Sequence, residues 1–281
     1  MQFERIDKMK NIRDIKSIFV ITKNILLYER TEKQVIMGFL VGMVIPFWWL
    51  KNFLDYVVST GEPVNILEAF PVIVHEGGSM LFLVLGWFLV ISDAPFVSGN
   101  TYYSLYRTKK RSFHGAMVLY ILVQAAFYTA AAALVTVLVS LPYGFIGKMW
   151  SSPVYMLSRD FGAVIYEKYG TAFAQQDMMR HLAVPQAFAA TALCFFLYLA
   201  VTGMILYTLS LFMGGIWGVL ITVMIHFSGM GLSYPGLAKF ALIGYAAAGN
   251  FADYEGVHLA EPVGKMVLIV GVLAVFGGVL I

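Results

Sequence analysis

The sequence predicts an all-α integral membrane protein with six transmembrane helices, an N-terminal amphipathic helix at the membrane interface and a short cytoplasmic helix between spans two and three. Of its 281 residues, 60% are apolar and only 12% are charged, whereas soluble domains carry about 25% charged residues. The long apolar stretches lack the polar–apolar alternation of barrel strands, which favours helices over a transmembrane β-barrel.

A helix needs about 20 residues to cross a hydrocarbon core of about 30 Å. Six apolar segments have a length close to this value or above it. They are residues 35–57, 71–91, 113–141, 184–209, 212–230 and 264–281. Pro46 predicts a kink in the first segment. Two G-x-x-x-G patterns, Gly38 with Gly42 and Gly214 with Gly218, are expected to let helices approach closely.

Basic residues set the expected orientation. Eight of the first 34 residues are Lys or Arg, and four more lie between residues 107 and 111. Because cytoplasmic loops carry an excess of positive charge, both segments are expected inside the cell. The chain thus divides into an interfacial region, residues 1–34, and a six-span domain, residues 35–281. Its connections 58–70, 142–183 and 231–263 then face outward.

The N-terminal region predicts a helix over residues 5–19 that lies flat on the inner leaflet. Apolar side chains recur there every three or four positions, with charged residues between them. Binding of anionic lipid and contact with a cytoplasmic partner are both open roles for this helix. The segment does not resemble a signal peptide, because its charged part is long and no small-residue cleavage site follows.

The segment between spans two and three, residues 92–112, reads "SDAPFVSGNTYYSLYRTKKRS". Ser98 or Asn100 can cap a new helix, after which Tyr102 and Tyr106 fall on one face. Basic residues follow at its C-terminal end, where cations complement the helix dipole. We expect a short helix parallel to the membrane that presents tyrosines and cations to the cytoplasm. A plain topology signal is the alternative, and it would need the charges alone.

Two outward connections are expected to contain helices. Ser152 followed by Pro153 favours a helix start, and Gly170 favours its end. A second short helix is predicted from Thr171 to about His181. In the connection 231–263, the run "LAKFALIGYAAAG" is apolar but too short to cross a membrane, which indicates a re-entrant or surface helix.

The order of these features resembles that of a known family. A basic amphipathic N-terminal helix, six spans, the polar segment after span two and a short apolar helix before the last span are similar to the permease subunits of six-span ABC exporters, the type-two ABC permease family. The resemblance covers nearly the whole chain and implies that residues 98–111 are the coupling helix that docks on an ATPase, with residues 5–19 as the connecting helix. The residues it places on this surface are Ser98, Asn100, Tyr102, Tyr103, Tyr106, Arg107, Lys109, Lys110, Arg111, Arg5, Lys8 and Arg13.

The same resemblance implies cargo and partners. The cargo is amphipathic or apolar, such as a peptide, lipid or drug, and it moves outward across the cell membrane. ATP and Mg²⁺ bind to separate ABC ATPase subunits, and a second permease chain, identical or related, completes the pathway. Both termini lie in the cytoplasm, and no nucleic acid is involved. This chain carries no nucleotide site, because "GFIGKMW" has neither the spacing of a P-loop nor a hydroxyl after Lys148.

The residues themselves are compatible with two other functions. A membrane scaffold or immunity protein that recruits a cytoplasmic partner needs the same basic surface without a transport path. An ion-coupled carrier needs ionisable groups deep in the bilayer. Residues 115–141, 182–212 and 266–281 contain no Asp, Glu, Lys, Arg or His, which disfavours the carrier.

Catalytic and metal chemistry is not predicted. In "VHEGGS" a serine takes the place of the second histidine of a zinc-binding H-E-x-x-H pattern, so no metal, cofactor or catalytic residue is expected on this chain. A few polar and aromatic residues in or near the spans are candidates for a substrate path, with a packing or lipid-facing role as the alternative for each. They are Phe47, Trp48, His75, Glu76 and His226.

Overall fold

The structure, a computed structural model, describes residues 2–30, 32–92, 109–159, 161–231 and 241–280, with the side chains of 2–13 and 230–231 left out. Helices account for most of this described chain, which confirms the all-α class. They are α1 (Gln2–Glu29), α2 (Lys33–Val44), α3 (Pro46–Thr60), α4 (Ala69–His75), α5 (Gly77–Ile91), α6 (Lys110–Ser140), α7 (Ser152–Leu157), α8 (Gly162–Tyr169), α9 (Gln176–His181), α10 (Val184–Met213), α11 (Gly215–Gly231) and α12 (Ala260–Leu280). Short 3-10 helices cover Leu141–Tyr143, Leu242–Ala246 and Ala248–Phe251.

Four helical segments of the described chain are long and apolar enough to cross a membrane. They are Lys33–Thr60, Lys110–Tyr143, Val184–Met213 and Ala260–Leu280. Helices α4 and α5 supply a fifth if they are counted as one span, although they are bent by 88°. Helix α11 has 17 residues, about 25 Å at 1.5 Å each, which is short of a core of about 30 Å. A membrane location therefore fits, while the prediction of six spans is not confirmed.

The two interruptions in the first and second segments have local causes. Ile45 separates α2 from α3, and Pro46 takes the first turn of α3, where a missing N–H group is tolerated. Glu76 has an extended backbone between α4 and α5, and its carboxylate accepts a hydrogen bond from Ser79 N at 2.6 Å. The segment 71–91, predicted as one span, is therefore not one continuous helix, because Glu76 starts a new helix in a different direction.

The core of the bundle is built around a close approach of α2, α5 and α6. A Cβ atom on Gly86 of α5 would lie 2.6 Å from the carbonyl oxygen of Gly38, and one on Gly42 would overlap the hydroxyl of Tyr128. Tyr128 fills this space from α6 and donates to the carbonyl of Leu83 at 2.6 Å. The pattern at Gly38 and Gly42 thus marks a real helix contact, as the sequence predicts.

The second G-x-x-x-G pattern has a different role. Gly214 lies between α10 and α11 with a positive φ of 92°, so it serves the turn and is not part of a continuous helix. Gly218 lies against Ser210 of α10, which brings the two antiparallel helices close together. The expected contact exists, but it joins neighbouring helices of one chain across a tight turn.

Apolar side chains cover the faces of the long helices that point away from the centre of the bundle. Helix α12 exposes residues such as Val272, Val275 and Phe276, and α11 exposes Ile216 and Trp217. An exposed apolar surface of this extent is unfavourable in water and is typical of contact with lipid or with another chain.

The connection between α3 and α4 pairs with the connection after α6. Strands β1 (Val64–Asn65) and β2 (Gly144–Phe145) run parallel. The Asn65 amide donates to the carbonyl oxygens of Gly147 at 2.8 Å and Met149 at 3.2 Å. These contacts place the two connections together at the end of α6 opposite to Lys110.

The helices predicted in the outward connections differ in detail from those observed. Residues 152–170 form two helices, α7 and α8, and the stop at Gly170 occurs with a φ of 67°. Helix α9 begins at Gln176 rather than Thr171. Residues 242–251 form two 3-10 helices instead of one α-helix, and residues 232–240 lie outside the described chain.

Replacing Gly86 by alanine tests the helix contact. The added methyl group meets the backbone of α2, so we expect destabilisation by about 1–3 kcal/mol, as for other overpacked cores. The measurement is the midpoint of thermal unfolding in detergent. Gly271→Ala in α12 is the matched control, because a Cβ atom there meets nothing within 4 Å. Equal midpoints for the two variants would contradict the packing described.

Candidate functional site

Helix α1 is attached to the first third of α6. Lys109, just before α6, contacts the carboxylate of Asp14 at 2.7 Å. The buried hydroxyl of Thr22 donates to the carbonyl of Ala116 at 3.1 Å. Between these contacts Gly115 lies against Ile18, where a Cβ atom would be 2.9 Å from the isoleucine side chain. The N-terminal helix and the start of α6 therefore form one unit.

This arrangement revises the prediction for the N-terminal helix. The helix extends to Glu29, ten residues beyond the predicted end at Phe19, and its second half packs on α6. The reason is visible in the sequence after Lys16, where "SIFVITKNILLYE" continues the apolar periodicity and provides a face for another helix.

The structure does not describe the side chains of most residues in the predicted coupling surface. Ser98, Asn100, Tyr102, Tyr103, Tyr106 and Arg107 lie outside the described residues. Arg5, Lys8 and Arg13 belong to α1, in the part without described side chains. Only Lys109, Lys110 and Arg111 can be placed with their side chains.

The placement of these three cations corrects one detail. Lys109 has an extended backbone, and Lys110 and Arg111 form the first turn of α6. The charge pattern predicts them at the C-terminal end of a helix, whereas they lie at the N-terminal end of α6. Cations are unfavourable at a helix N-terminus, and the ion pair with Asp14 offsets part of that effect by tying Lys109 to α1.

The five candidate path residues lie at separate places in the described bundle. Phe47 and Trp48 are 42% and 66% exposed on α3. His75 and Glu76 lie at the bend between α4 and α5, where Glu76 caps α5. His226 is buried on α11 and contacts the hydroxyl of Tyr198 at 2.6 Å, which is the packing role that the sequence left open for it.

A half-buried histidine, His114, forms contacts that the sequence alone does not predict. His114 donates from Nε2 to the carbonyl of Ala274 at 2.6 Å, and its Nδ1 accepts from the Tyr207 hydroxyl at 3.0 Å. It therefore joins α6, α10 and α12. Gly277 and Gly278 leave room for the ring, since Cβ atoms on them would lie 3.0 and 3.3 Å from it. The adjacent glycines near the end of α12 are the sequence signal for this contact.

Two large cavities open on the described part of the bundle. The first is a groove of about 1010 Å³ between α1, α2 and α6, with largely apolar walls. The second, of about 1030 Å³, lies between the bend at His75, the 3-10 helices and the start of α12, and its lining is more polar. Both are at the upper end of the volumes of about 300–1,000 Å³ typical of small-ligand sites.

Charged groups in the second cavity are paired with neighbours. Asp253 lies 3.3 Å from His258, and Glu261 lies 2.5 Å from Lys265. Backbone N–H groups, first that of Glu255, hold the pKa of Asp253 below its usual value. His75 bonds to the carbonyl of Pro71 at 2.7 Å and accepts from Gly249 N at 3.0 Å, which ties α4 to the 3-10 helix.

These groups do not form a metal site. Among the residues that the structure describes, no three His, Cys, Asp or Glu side chains come together as metal ligands.

A buried carboxylate holds the two connections at the other end of α6 together. Glu68 is fully buried and accepts hydrogen bonds from Ser151 N and Ser151 Oγ, both at 2.6 Å, and from Asn65 N at 3.2 Å. Burial raises the pKa of Glu68 to about 7, although the hydrogen bonds oppose this shift. We call Glu68, Asn65 and Ser151 with the paired strands the carboxylate clasp.

Comparison with models of known protein families, with curated proteins and with solved structures finds no match. The function of this chain must therefore follow from its own residues. Two features are informative, namely the attachment of α1 to α6 and the apolar groove beside it.

The carboxylate clasp predicts a specific dependence of stability on pH. Because the folded protein holds the Glu68 proton more tightly than the unfolded chain, this group stabilises the fold at acid pH, and that contribution is lost as pH rises through about 7. Between pH 5 and pH 8 we expect a loss of about 2–3 kcal/mol that Glu68→Gln removes. Thermal unfolding at both pH values measures it.

The control for this prediction is Glu62→Gln, an exposed carboxylate in the same connection. It should keep the pH dependence of the natural protein. Identical pH dependence in the natural protein and in Glu68→Gln would show that Glu68 does not titrate in this range.

Proposed function

We propose that this chain is the membrane permease subunit of an ABC exporter of the type-two permease family. It moves an amphipathic or apolar cargo, such as a peptide, lipid or drug, outward, while separate ATPase chains hydrolyse ATP. The observation that carries the proposal is the attachment of α1 to the start of α6, at the C-terminal end of the basic segment 92–112. A partner that pushes on that segment acts on α6 directly and, through α1, on the first spanning segment.

The connectivity supports this mechanical role. Force applied before Lys109 reaches α6 through the backbone, and it reaches α1 through the contacts of Asp14 and Thr22. Helix α1 ends at Glu29, and α2 begins at Lys33. A displacement of α1 is therefore passed to the first spanning segment within four residues. Rigid helices joined in this way suit rocking motions that alternate access to a pathway.

The scarcity of ionisable groups supports ATP as the energy source. Helix α10 contains no Asp, Glu, Lys, Arg or His, and α6 contains none after His114. The polar side chains in these helices are largely Thr, Ser and Tyr, several of which donate to nearby carbonyl groups, such as Thr202 to Tyr198 O and Thr208 to Met204 O. A carrier driven by protons or sodium needs a titratable or coordinating group along its path.

The proposed orientation keeps the six predicted crossings, with α4 and α5 together as the second and α11 as the fifth, so that both termini lie in the cytoplasm of a cell-membrane protein and the carboxylate clasp lies outside. The helices of one chain are too few to enclose a large pathway, so a second permease chain, identical or related, completes it. The exposed apolar faces of α11 and α12 offer surfaces for lipid or for that chain. ATP and Mg²⁺ belong to the ATPase.

A membrane scaffold that recruits a cytoplasmic partner is the second candidate. The separation of Phe47, His75 and His226 favours it, since Phe47 lines a narrow cleft beside Leu83, His75 lines the second cavity, and His226 packs on Tyr198. ATP-dependent movement of a fluorescent lipid or peptide into inverted vesicles separates the two functions, because a scaffold binds its partner without moving cargo.

Charge reversal on the basic segment tests the docking of the ATPase. The triple change of Arg107, Lys109 and Lys110 to Glu should reduce co-purification of the partner ATPase about tenfold or more, since three favourable charges become repulsive. Membrane insertion should be unchanged. Reversal of Lys148, Arg159 and Lys168, exposed cations in the connection 142–183, is the matched control.

The change at Lys109 also breaks its ion pair, so a second variant isolates docking from packing. Exchanging the pair, Asp14→Lys with Lys109→Glu, preserves attraction between α1 and α6 and should retain most of the binding. If the triple variant retains the ATPase as well as the natural protein does, the basic segment is not the docking surface.

A further inference from the structure

The groove between α1, α2 and α6 combines apolar walls with a cationic edge. Its walls include Leu26 and Leu27 of α1, Phe39 and Met43 of α2, and Phe127 of α6. Leu27 and Phe127 are 56% and 61% exposed. The groove has a volume of about 1010 Å³ and largely apolar walls. Water is an unfavourable occupant, because it would lack hydrogen-bond partners there.

The cations of the groove lie on α1 and directly after its last residue. Lys23 and Arg30 both line it and both are exposed. They are seven residues apart, which is about two helical turns and about 10 Å along the axis. The lining contains one acid, Glu29, which is only 4% exposed. The accessible edge of the groove therefore attracts anions.

We propose that this groove binds an anionic phospholipid, with its acyl chains along the apolar walls and its phosphate between Lys23 and Arg30. The guanidinium of Arg30 can bind phosphate in a bidentate manner, and Lys23 adds a second charge. The lipid is the fitting occupant because α2 and α6, which form two walls of the groove, belong to segments long and apolar enough to cross a membrane. This site does not depend on transport or on an ATPase.

The net charge of the headgroup decides which lipid binds best. An anionic lipid leaves its phosphate uncompensated and benefits from both cations. A zwitterionic choline lipid brings a cation of its own, so it retains the contact of its acyl chains and gains less at the headgroup. Each cation near an anionic lipid contributes enough to change affinity about fivefold. Loss of both should weaken binding of the anionic lipid about tenfold or more.

The test is native mass spectrometry of the full chain in detergent, titrated separately with phosphatidylglycerol and phosphatidylcholine of the same acyl chains. The natural protein should bind phosphatidylglycerol more tightly. Lys23→Gln with Arg30→Gln should abolish the preference for phosphatidylglycerol, with a large loss of phosphatidylglycerol binding and only a small loss of phosphatidylcholine binding. The control Lys148→Gln with Lys168→Gln removes two exposed cations far from the groove and should keep the preference.

A further variant and a competitor test the acyl chains. Leu40→Trp adds bulk at an exposed position of the groove wall, and it should weaken binding of both lipids. Glycerol 3-phosphate, which has the phosphate without the chains, should not compete. Equal binding of the two lipids by the natural protein, an unchanged preference after loss of both cations, or full competition by glycerol 3-phosphate would each overturn the proposal.

Discussion

The space that Tyr128 occupies between the glycines of α2 and α5 is the constraint on which the bundle depends. Only glycine at positions 42 and 86 lets these helices approach so closely that a tyrosine of α6 reaches the carbonyl of Leu83. The contact fixes α6 near its middle. One end of α6 contacts α1 near Lys110, and the other end contacts the paired connections near Ser140. A movement of α6 at one end of the bundle is therefore passed to the other end.

The two attachments differ in strength. The pair of Lys109 and Asp14 is exposed, with side chains 57% and 38% accessible, and such pairs contribute about 0–1 kcal/mol. The carboxylate clasp is buried and satisfied by three hydrogen bonds. The ion pair can rearrange at small energetic cost while the buried contact of Thr22 with Ala116 persists, whereas opening the carboxylate clasp would leave polar groups without partners. A firm end at the carboxylate clasp and an adjustable ion pair at the opposite end fit the proposed permease, in which mechanical work arrives on one side of the bundle.

The sequence predicts the class, the long helices and the close approach at Gly38 and Gly42, because these follow from hydropathy and residue size alone. It does not predict the bend at Glu76, because the two glycines that follow look like part of an apolar run. The bend depends on the Glu76 carboxylate, which accepts a hydrogen bond from Ser79 N and caps α5. The full length of α1 does not follow from the sequence, because its second half has a packing partner distant in sequence. The contacts of Glu68 and His114 do not follow from it either, since their partners lie 83 and 160 residues away.

The central claim is that the basic end of α6 faces the cytoplasm and the carboxylate clasp faces outward. Labelling of introduced cysteines in intact cells with a membrane-impermeant maleimide tests this most directly, and the one natural cysteine, Cys194, is buried. We expect Met149→Cys, at a position 78% exposed, to react from outside. Arg111→Cys should react only after the cells are permeabilised. Reaction of Arg111→Cys in intact cells would invert the topology and contradict the account.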